Sequence, residues 1–376
     1  MENKPFVFGV ATSDPNFTDR KQETERLLSN FRHGINTILI SPRRWGKTSL
    51  VQKVCAMAQT DSLKVVYLDI FSLRSDKEFF DAFASAVLKQ TSSKWDEWME
   101  NAREFLSLIS PKISFGPDPV SDISISLDFN PKSDDADEIL QLPEKIANKK
   151  KISIVICIDE FQQIAEFKDS KIFQKRLRTV WQLQKSVSYC LFGSKKHLMN
   201  ELFEKKSLPF YKFGDAIYLT KIPTANWIEY ITGRFEATGK KISKGLAEKI
   251  CIAVDNHSSY VQQLAWLVWV RTQEKATDQN YEGAFEDLID QNTPLFEKQT
   301  ENLTTYQMNF LRAIVGGVHT EFTTQDVIRK YELGSSANVM TVKRALINKE
   351  LIEMEKRQVI ISDPVMELWL KRELAE

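Results

Sequence analysis

Eleven residues near the start of the chain combine a lysine and a hydroxyl at a spacing that suits phosphate chemistry. They read ISPRRWGKTSL, residues 40–50. In the pattern G-x-x-x-x-G-K-[ST], backbone N–H groups surround a triphosphate, the lysine binds its outer phosphates and the hydroxyl binds Mg²⁺. Gly46, Lys47 and Thr48 satisfy the last three positions, whereas Ser41 replaces the first glycine. The segment therefore predicts a phosphate-binding loop with one departure from the usual pattern.

We expect the whole loop to contact a nucleotide. Gly46 lets the backbone approach the phosphates without an intervening Cβ. Lys47 would bind the β- and γ-phosphates, and Thr48 would bind Mg²⁺. The other residues predicted to line the site are Ser41, Pro42, Arg43, Arg44, Trp45 and Ser49.

Two carboxylates end an apolar segment further along the chain. The segment reads ISIVICIDE, residues 152–160. A parallel strand of this kind would place Asp159 at the carboxyl edge of a sheet, where it can hold a Mg²⁺-bound water, and Glu160 could act as the general base. The alternative is a solvated acidic turn that follows a buried strand. The upstream loop favours the catalytic interpretation.

A serine follows the next apolar strand, residues 187–192, after Gly193. A polar side chain at this strand end would lie between the phosphate loop and the acidic pair. Ser194 is therefore a candidate sensor of the γ-phosphate. It is equally suited to be the N-cap of a helix over 195–203, and the two roles are compatible.

The elements that must position these residues show an α/β rhythm. Between residue 36 and about 222, short runs that are apolar at nearly every position alternate with amphipathic stretches, as in a parallel sheet covered on both faces. The predicted strands are 37–40, 65–70, 152–158, 187–192 and 216–219, and the predicted helices include 76–89, 134–148 and 170–184. This pattern predicts a doubly wound α/β domain.

An insertion interrupts this rhythm at residues 92–133. It predicts a short helix with Trp95 and Trp98, followed by a β-hairpin, because apolar and polar residues alternate strictly over 121–129. The hairpin is either a partner-binding arm or a cap on the edge of the sheet.

The rest of the chain predicts two further domains. Residues 223–297 are helical throughout, and residues 298–376 predict three helices, a two-stranded ribbon and a last helix that begins at Asp363-Pro364. This second arrangement is that of a winged helix. The predicted domains are therefore 1–222, 223–297 and 298–376.

The winged helix offers candidate DNA contacts on its third helix and at the tip of its ribbon: Ser336, Asn338, Lys343, Arg344, Lys356 and Arg357. However, residues 297–376 contain 11 basic and 12 acidic residues. DNA-binding modules normally carry a clear basic excess. We therefore favour internal packing or a protein partner over DNA.

Composition excludes several other classes. The chain has 376 residues, with 51 basic and 51 acidic side chains, so no global charge draws it to nucleic acid or a membrane. No apolar stretch has the length of a membrane span, and the first residues do not form a secretion signal. Cysteines at 55, 157, 190 and 251 are dispersed. We expect reduced thiols, no metal cluster and a cytoplasmic location.

These motifs resemble those of archaeal-type ATPases in the AAA+/STAND group. FTDRKQE (17–23), PRRWGKTSL, IDEFQ, LFGS and NHSSYVQQLA (256–265) are similar to its opening, Walker A, Walker B, sensor and lid motifs, in the same order. The resemblance implies a Mg²⁺- and ATP-binding core, a helical lid at 223–297 and a winged helix. It also implies that Phe17 to Arg20 line an adenine pocket. His257 would approach the phosphates or, alternatively, is a polar residue at a helix start.

Departures from the family pattern affect the expected rate. Residues 195–216 contain no arginine, whereas relatives often carry one there that acts on a neighbouring subunit's nucleotide. Arg43, Arg44, Arg176 and Arg178 are candidate sources of charge within the chain. Because such an arginine contributes several powers of ten in rate, a slow ATPase that acts as a nucleotide-dependent switch is our leading hypothesis. The alternatives are a DNA-binding initiator-like or transposition-helper-like protein with ATP as a clamp, and a STAND-like signalling or defence module that acts through protein contacts.

Overall fold

The chain forms two compact units in a computed structural model that describes residues 4–10, 18–92, 95–106, 113–116, 124–127, 130–131 and 133–375. Residues Arg20–Thr220 form one unit, which we call the core unit. Met1–Asp19 and Lys221–Glu376 form the other, which we call the C-terminal unit. Each unit has its own apolar core, since one cluster of buried side chains lies in each.

The core unit alternates strands and helices, as predicted. Its elements are α1 (Lys21–Arg32), β1 (Thr37–Ile40), α2 (Lys47–Ala58), β2 (Leu63–Asp69), α3 (Asp76–Thr91), α4 (Trp95–Leu106), β3 (Ile113–Gly116), β4 (Ser124–Leu127), α5 (Asp135–Lys150), β5 (Ser153–Asp159), a 3₁₀ helix (Phe161–Glu166), α6 (Ser170–Trp181), β6 (Val187–Gly193), α7 (Lys196–Glu204) and β7 (Asp215–Tyr218). Every strand predicted between 36 and 222 forms, with bounds that differ by a few residues.

Five of these strands form one parallel sheet in the order β2-β5-β6-β1-β7. Every residue of β1 and β6 is buried, which agrees with their continuous apolar sequences. The predicted α/β class is therefore confirmed. Because the strands are parallel, the segments that follow β1, β5 and β6 all leave the sheet at the same edge. In this order β6 lies between β1 and β5.

The insertion packs on helix α3. Within the ranges that the structure describes, its strands β3 and β4 pair only with each other, in antiparallel register, and do not extend the five-stranded sheet. Leu127 is buried in the apolar core of the unit, and its backbone N–H donates to Asp81 Oδ1 on α3 at 3.1 Å. Trp98 on α4 is also buried in that core. The described part of the hairpin thus covers α3 rather than the edge strand β2.

The C-terminal unit consists of helices and one two-stranded ribbon. Its elements are α8 (Thr224–Ala237), α9 (Lys244–Ala253), α10 (Ser258–Arg271), α11 (Asp278–Thr300), α12 (Thr305–Val315), α13 (Gln325–Lys330), α14 (Ser336–Asn348), β8 (Ile352–Glu355), β9 (Gln358–Ile361) and α15 (Pro364–Ala375). The predicted order of three helices, ribbon and final helix is confirmed. Helix α11 continues to Thr300, beyond the boundary drawn at residue 297 from the sequence.

The first described residues pack in this C-terminal unit. Phe6 is 2% exposed, and its ring lies 6.1 Å from that of Tyr230 and 5.9 Å from that of Phe235. The backbone N–H of Val7 donates to Gln262 Oε1 at 3.0 Å. A segment that precedes the core unit in sequence is therefore part of the packing of helices that follow it.

Asp363 connects two helices of the C-terminal unit. Its Oδ1 accepts the backbone N–H groups of Val365 and Met366, so the predicted N-cap of α15 is confirmed. Its Oδ2 accepts the hydroxyl of Tyr260, on α10, at 2.6 Å.

Among the described residues, no helix is both long and apolar enough to cross a membrane.

Replacement of Phe83 by alanine should strongly destabilise the core unit. The ring is fully buried on α3 and stacks on Phe79 with centroids 5.7 Å apart. We expect the free energy of unfolding to fall by about 3–5 kcal/mol, since the change leaves a cavity. Phe71→Ala is the matched control because Phe71 is 66% exposed, and it should change stability by less than about 0.5 kcal/mol. Chemical denaturation would measure both variants, and equal losses would contradict the assignment of Phe83 to the core.

Candidate nucleotide-binding site

The segment between β1 and α2 folds as a compact loop. Gly46 has φ 86° and precedes Lys47, the first residue of α2, and Arg44 has φ 61°. A glycine adopts this left-handed conformation without the strain that a Cβ causes. Ser41, which replaces the usual glycine, is fully buried, and its hydroxyl donates to the Pro42 carbonyl at 3.0 Å. The unusual serine is thus accommodated by a hydrogen bond within the loop.

The predicted loop residues differ in exposure. Two of them are buried, with exposed fractions of 5% for Ser49 and 6% for Lys47. Arg43 and Arg44 are exposed, and Pro42 and Trp45 are half-buried. A lysine this buried needs a compensating charge. Burial acts to raise the pKa values of Asp159 and Glu160, and the positive charge of Lys47 acts in the opposite direction on both, so the ammonium and the two carboxylates form one electrostatic cluster.

Asp159 ends β5 next to the first turn of α2. Its Oδ2 accepts the Thr48 hydroxyl at 3.2 Å and the Tyr67 hydroxyl at 2.8 Å. Burial raises the pKa of Asp159 above its ordinary value, although the charge of Lys47 and the Tyr67 hydroxyl act in the opposite direction. The alternative of a solvated acidic turn is therefore wrong for this residue, which is 5% exposed.

A Mg²⁺ ion would find suitable ligands at this point. The Thr48 hydroxyl and the Asp159 carboxylate are hard oxygen donors close to one another, which is the chemistry that Mg²⁺ prefers. Within the described ranges no group of three or more His, Cys, Asp or Glu side chains could hold a metal ion. The remaining ligands would therefore be water and phosphate oxygens, as is usual for Mg²⁺.

Glu160 is held by three donors on one oxygen. Its Oε2 accepts the backbone N–H of Ser194 at 3.2 Å, the Ser194 hydroxyl at 2.8 Å and the side-chain amide of Gln162. Burial alone would raise the pKa of Glu160, but the Gln162 bond, the Lys47 charge and the Ser194 bonds together lower it. Glu160 is therefore ionised and restrained in this conformation.

Ser194 follows β6 and contacts the acidic pair, as the strand order requires. Helix α7 begins at Lys196, and the residue at its N-cap position is Lys195, which makes no side-chain cap. The hydroxyl of Ser194 donates to Glu160 instead. Of the two roles considered from the sequence, the structure does not show the helix cap, and the role of Ser194 as a sensor of the γ-phosphate stays a prediction.

Tyr67 and Gln162 belong to this cluster, although the sequence analysis gave them no role. Tyr67 lies on β2, in register with Cys157 on β5, which brings its hydroxyl to Asp159. Gln162 is 2% exposed, and no group in the described part of the chain bonds its Oε1. A Cβ on Gly193 would lie 1.8 Å from that oxygen, so the glycine leaves space for the amide. The sequence signal that could have identified them is a polar side chain inside an apolar strand, as for Tyr67, or shortly after one, as for Gln162.

Arg20 lies beneath the loop and is 4% exposed. Its Nη2 donates to the Trp45 carbonyl at 3.2 Å, and its Nη1 donates to the Thr220 carbonyl at 2.7 Å and to Glu23 at 3.0 Å. Phe17, which was predicted to line an adenine pocket with Arg20, lies outside the described residues. The carbonyls of Trp45 and Thr220 are therefore close to Arg20 in space, although they are distant from it in sequence.

The predicted lid residue His257 is buried in the C-terminal unit. It is 8% exposed, it precedes α10 without capping it, and its ring lies 4.8 Å from that of Tyr260. The structure therefore shows a histidine that packs at a helix start. Its approach to phosphates stays a prediction.

The candidate DNA contacts have different surroundings. Arg344 and Ser336 are exposed on α14, whereas the Asn338 amide donates to the Leu333 carbonyl at 2.8 Å and so is engaged in structure. Lys343 is half-buried. Lys356 and Arg357 are exposed and form a two-residue turn between β8 and β9, with φ 45° and 72°.

Two candidate arginines are engaged in packing within the core unit. Arg176 donates to the Pro131 carbonyl and pairs with Asp137 at 3.1 Å. The guanidinium of Arg178 lies over the ring of Phe213, 4.9 Å from its centroid. These contacts hold both side chains, and their role as sources of charge for a nucleotide stays a prediction.

Gly193→Ala should displace the Gln162 amide and raise the pKa of Glu160. The added Cβ would overlap Gln162 Oε1, which is the end of a flexible side chain, so we expect the fold to survive while Glu160 loses one donor. The side-chain carboxyl of Glu160 would be titrated by carbon-13 NMR in both proteins. Gly233→Ala on α8, where the new Cβ contacts nothing within 4 Å, is the control. An unchanged Glu160 pKa in Gly193→Ala would show that Gln162 does not determine it.

The stability difference between the wild type and Glu160→Gln should depend on pH. Because the folded pKa of Glu160 is lowered from its ordinary 4.5, the ionised carboxylate stabilises the fold above that pH, and this contribution is lost as pH falls through the folded pKa. We expect Glu160→Gln to be less stable than the wild type at pH 7 and the difference to shrink in acid. Asp159→Asn should show the opposite trend, since the pKa of Asp159 is raised. Urea unfolding at several pH values measures both; parallel curves for wild type and Glu160→Gln would refute the expectation.

Comparison with known proteins agrees with this geometry. Residues 17–209 match the family model of an ATPase domain predominantly from Archaea, and residues 294–372 match that of a probable winged helix domain. No curated protein matches the chain.

Solved structures with a similar fold span nearly the whole chain. A Walker-type ATPase of Pyrococcus abyssi aligns with TM-score 0.68 and 15% identity over 98% of this chain and 99% of its own. The ORC2 protein of Aeropyrum pernix, in ADPNP–ADP complexes, aligns with TM-score 0.57 and 13% identity over 99% of this chain and 100% of its own. At these identities the likeness concerns the fold. The matched family models, together with the loop and its partners, show that the chain belongs to the family of ATPase domains found predominantly in Archaea and that it carries a C-terminal winged helix domain.

Proposed function

We propose that this protein binds ATP with Mg²⁺ in the core unit, hydrolyses it slowly and acts as a nucleotide-dependent switch. The observation that carries the proposal is the state of Glu160. Its Oε2 accepts three hydrogen bonds, two of them from Ser194. The carboxylate that would activate water is therefore restrained by the residue that would detect the γ-phosphate.

Phosphate binding rests on the loop and on the start of α2. Backbone N–H groups of the loop between residues 41 and 49, except at Pro42, which has none, would surround the phosphates, and the N-terminus of α2 would add its partial positive charge. Lys47 begins that helix and is already desolvated, so its charge acts strongly on a phosphate oxygen. Loop residues from Ser41 to Ser49 form the proposed nucleotide site.

Metal binding rests on Thr48 and Asp159. The Thr48 hydroxyl, which now donates to Asp159, would turn its lone pair to the ion, and Asp159 would accept from a water in the ion's shell. The ion supplies charge neutralisation of the phosphates when it is bound. Tyr67 would keep Asp159 oriented through its own hydrogen bond.

Water activation rests on Glu160. A carboxylate that accepts three hydrogen bonds has a lowered pKa and is a weaker base than a free one. The Ser194 hydroxyl has one proton, so it cannot donate to Glu160 and to a γ-phosphate oxygen at the same time. Binding of the γ-phosphate would thus remove one donor from Glu160 and restore its basicity, which makes the basicity of the site depend on the nucleotide.

Charge stabilisation within the chain is limited, which supports a slow rate. Arg176 and Arg178 are held by other contacts, so Arg43 and Arg44 on the loop are the remaining candidates considered. Without an arginine placed on the γ-phosphate, hydrolysis loses several powers of ten. Slow turnover suits a switch, because each nucleotide state persists.

The finer parts of the proposal concern the rest of the chain. Phe17 to Asp19 would border the adenine, next to Arg20, whose guanidinium bonds protein groups. His257 would respond to the phosphates from the lid, residues 223–297. The winged helix, residues 298–376, would bind a protein partner. Its balance of acidic and basic residues gives no electrostatic support for DNA.

Substitution of Lys47 and Glu160 separates binding from turnover. Lys47→Ala should weaken binding of Mg²⁺ and a slowly hydrolysed ATP analogue beyond detection by calorimetry. Glu160→Gln should keep binding but reduce steady-state hydrolysis about 100-fold or more, since it removes the general base. Lys171→Ala, an exposed position on α6, is the matched control and should change neither quantity. Absence of binding heat in the wild type would refute ATP binding, and undiminished hydrolysis in Glu160→Gln would remove that residue from the mechanism.

A further inference from the structure

The chain passes between its two compact units at two points. One lies between Asp19 and Arg20, and the other between Thr220 and Lys221. The core-unit residues at these points are in direct contact, because Arg20 Nη1 donates to the Thr220 carbonyl at 2.7 Å. A hydrogen bond therefore connects the first residue of the core unit, Arg20, to its last residue, Thr220.

The same guanidinium also holds the phosphate loop. Arg20 Nη2 donates to the Trp45 carbonyl at 3.2 Å. This carbonyl and the N–H of Gly46 belong to one peptide unit, which is planar and rigid, and in a trans peptide the two groups point in opposite directions. A phosphate that accepts the Gly46 N–H would therefore bind one edge of this planar unit, while the guanidinium of Arg20 binds the carbonyl at the opposite edge.

The surroundings of Arg20 favour a fixed position. The side chain is 4% exposed, and Glu23 accepts a third hydrogen bond at 3.0 Å and supplies the opposite charge. Its backbone is fixed as well, since Arg20 has φ 67° at the start of α1 and its carbonyl accepts the N–H of Thr24. The planar guanidinium makes these three bonds from two nitrogens held in a rigid fork, Nη1 to the Thr220 carbonyl and Glu23 and Nη2 to the Trp45 carbonyl.

We propose that Arg20 is a positioning residue that links the phosphate loop to the point at Thr220 where the chain leaves the core unit. This inference rests on the proposed function, because it needs nucleotide binding at the loop. Fixing the Trp45–Gly46 peptide with a phosphate would fix the guanidinium, and the guanidinium would in turn restrain the carbonyl of Thr220. Arg20 thereby acts on the connection to the lid, and it does so without being a ligand of the nucleotide.

Hydrogen–deuterium exchange of the full chain tests this link, with and without Mg²⁺ and a slowly hydrolysed ATP analogue. In the wild type, the analogue should slow exchange in residues 42–48 and, about tenfold, in residues 219–222. Arg20→Lys keeps the charge but replaces the rigid pair of nitrogens that bonds the two carbonyls by a single nitrogen on a shorter side chain. In this variant the slowing at 219–222 should fall below about twofold while that at 42–48 persists. Glu23→Gln leaves both carbonyl bonds in place, so this matched control should behave as the wild type.

The outcomes separate this inference from the function on which it rests. No slowing at 42–48 in the wild type would refute ATP binding, and the link would fall with it. Undiminished slowing at 219–222 in Arg20→Lys would overturn the link alone. Loss of analogue binding in a folded Arg20→Lys would also overturn it, since Arg20 would then be a nucleotide ligand. Arg20→Gln, which keeps one amide donor, replaces the lysine variant with the same expectations if that variant does not fold.

Discussion

The buried ammonium of Lys47 is the interaction on which the rest of the site depends. It lies near two carboxylates at the end of β5, Asp159 and Glu160, and its charge opposes the effect of burial on the pKa of each. Like charges this close would otherwise favour protonation of one partner. The lysine therefore makes an acidic pair possible at a dry sheet edge, and the pair makes a buried lysine possible.

The sheet supplies the geometry for this balance. Because β6 lies between β1 and β5, Ser194 follows the strand that separates the loop from the carboxylates. Because β2 lies on the other side of β5, Tyr67 can donate to Asp159. The polar cluster is thus assembled from residues at the carboxyl ends of β5 and β6, from the start of α2 and from Tyr67 within β2. An apolar sheet fixes these ends, so the cluster does not depend on the conformation of long loops.

Much of the fold and part of the site could be predicted from the sequence, for a physical reason. Continuous apolar runs mark buried parallel strands, and a polar residue directly after such a run must lie at the carboxyl edge, which identified the loop, Asp159, Glu160 and Ser194. Tyr67 and Gln162 were not predicted from the sequence because their roles depend on strand register and on side-chain direction. Arg20 was assigned to an adenine pocket by resemblance, and its bonds to Trp45 and Thr220 join residues that no sequence spacing relates.

The packing of Phe6 has a consequence for how the protein is made. During translation Phe6 is synthesised first and the entire core unit follows it, and both precede the synthesis of its ring partners Tyr230 and Phe235. The core unit holds its own apolar cluster and can fold during that interval, whereas Phe6 must wait for its aromatic neighbours. Completion of the C-terminal unit is therefore delayed until late in translation, and the Phe6 side chain lacks its packing partners until then.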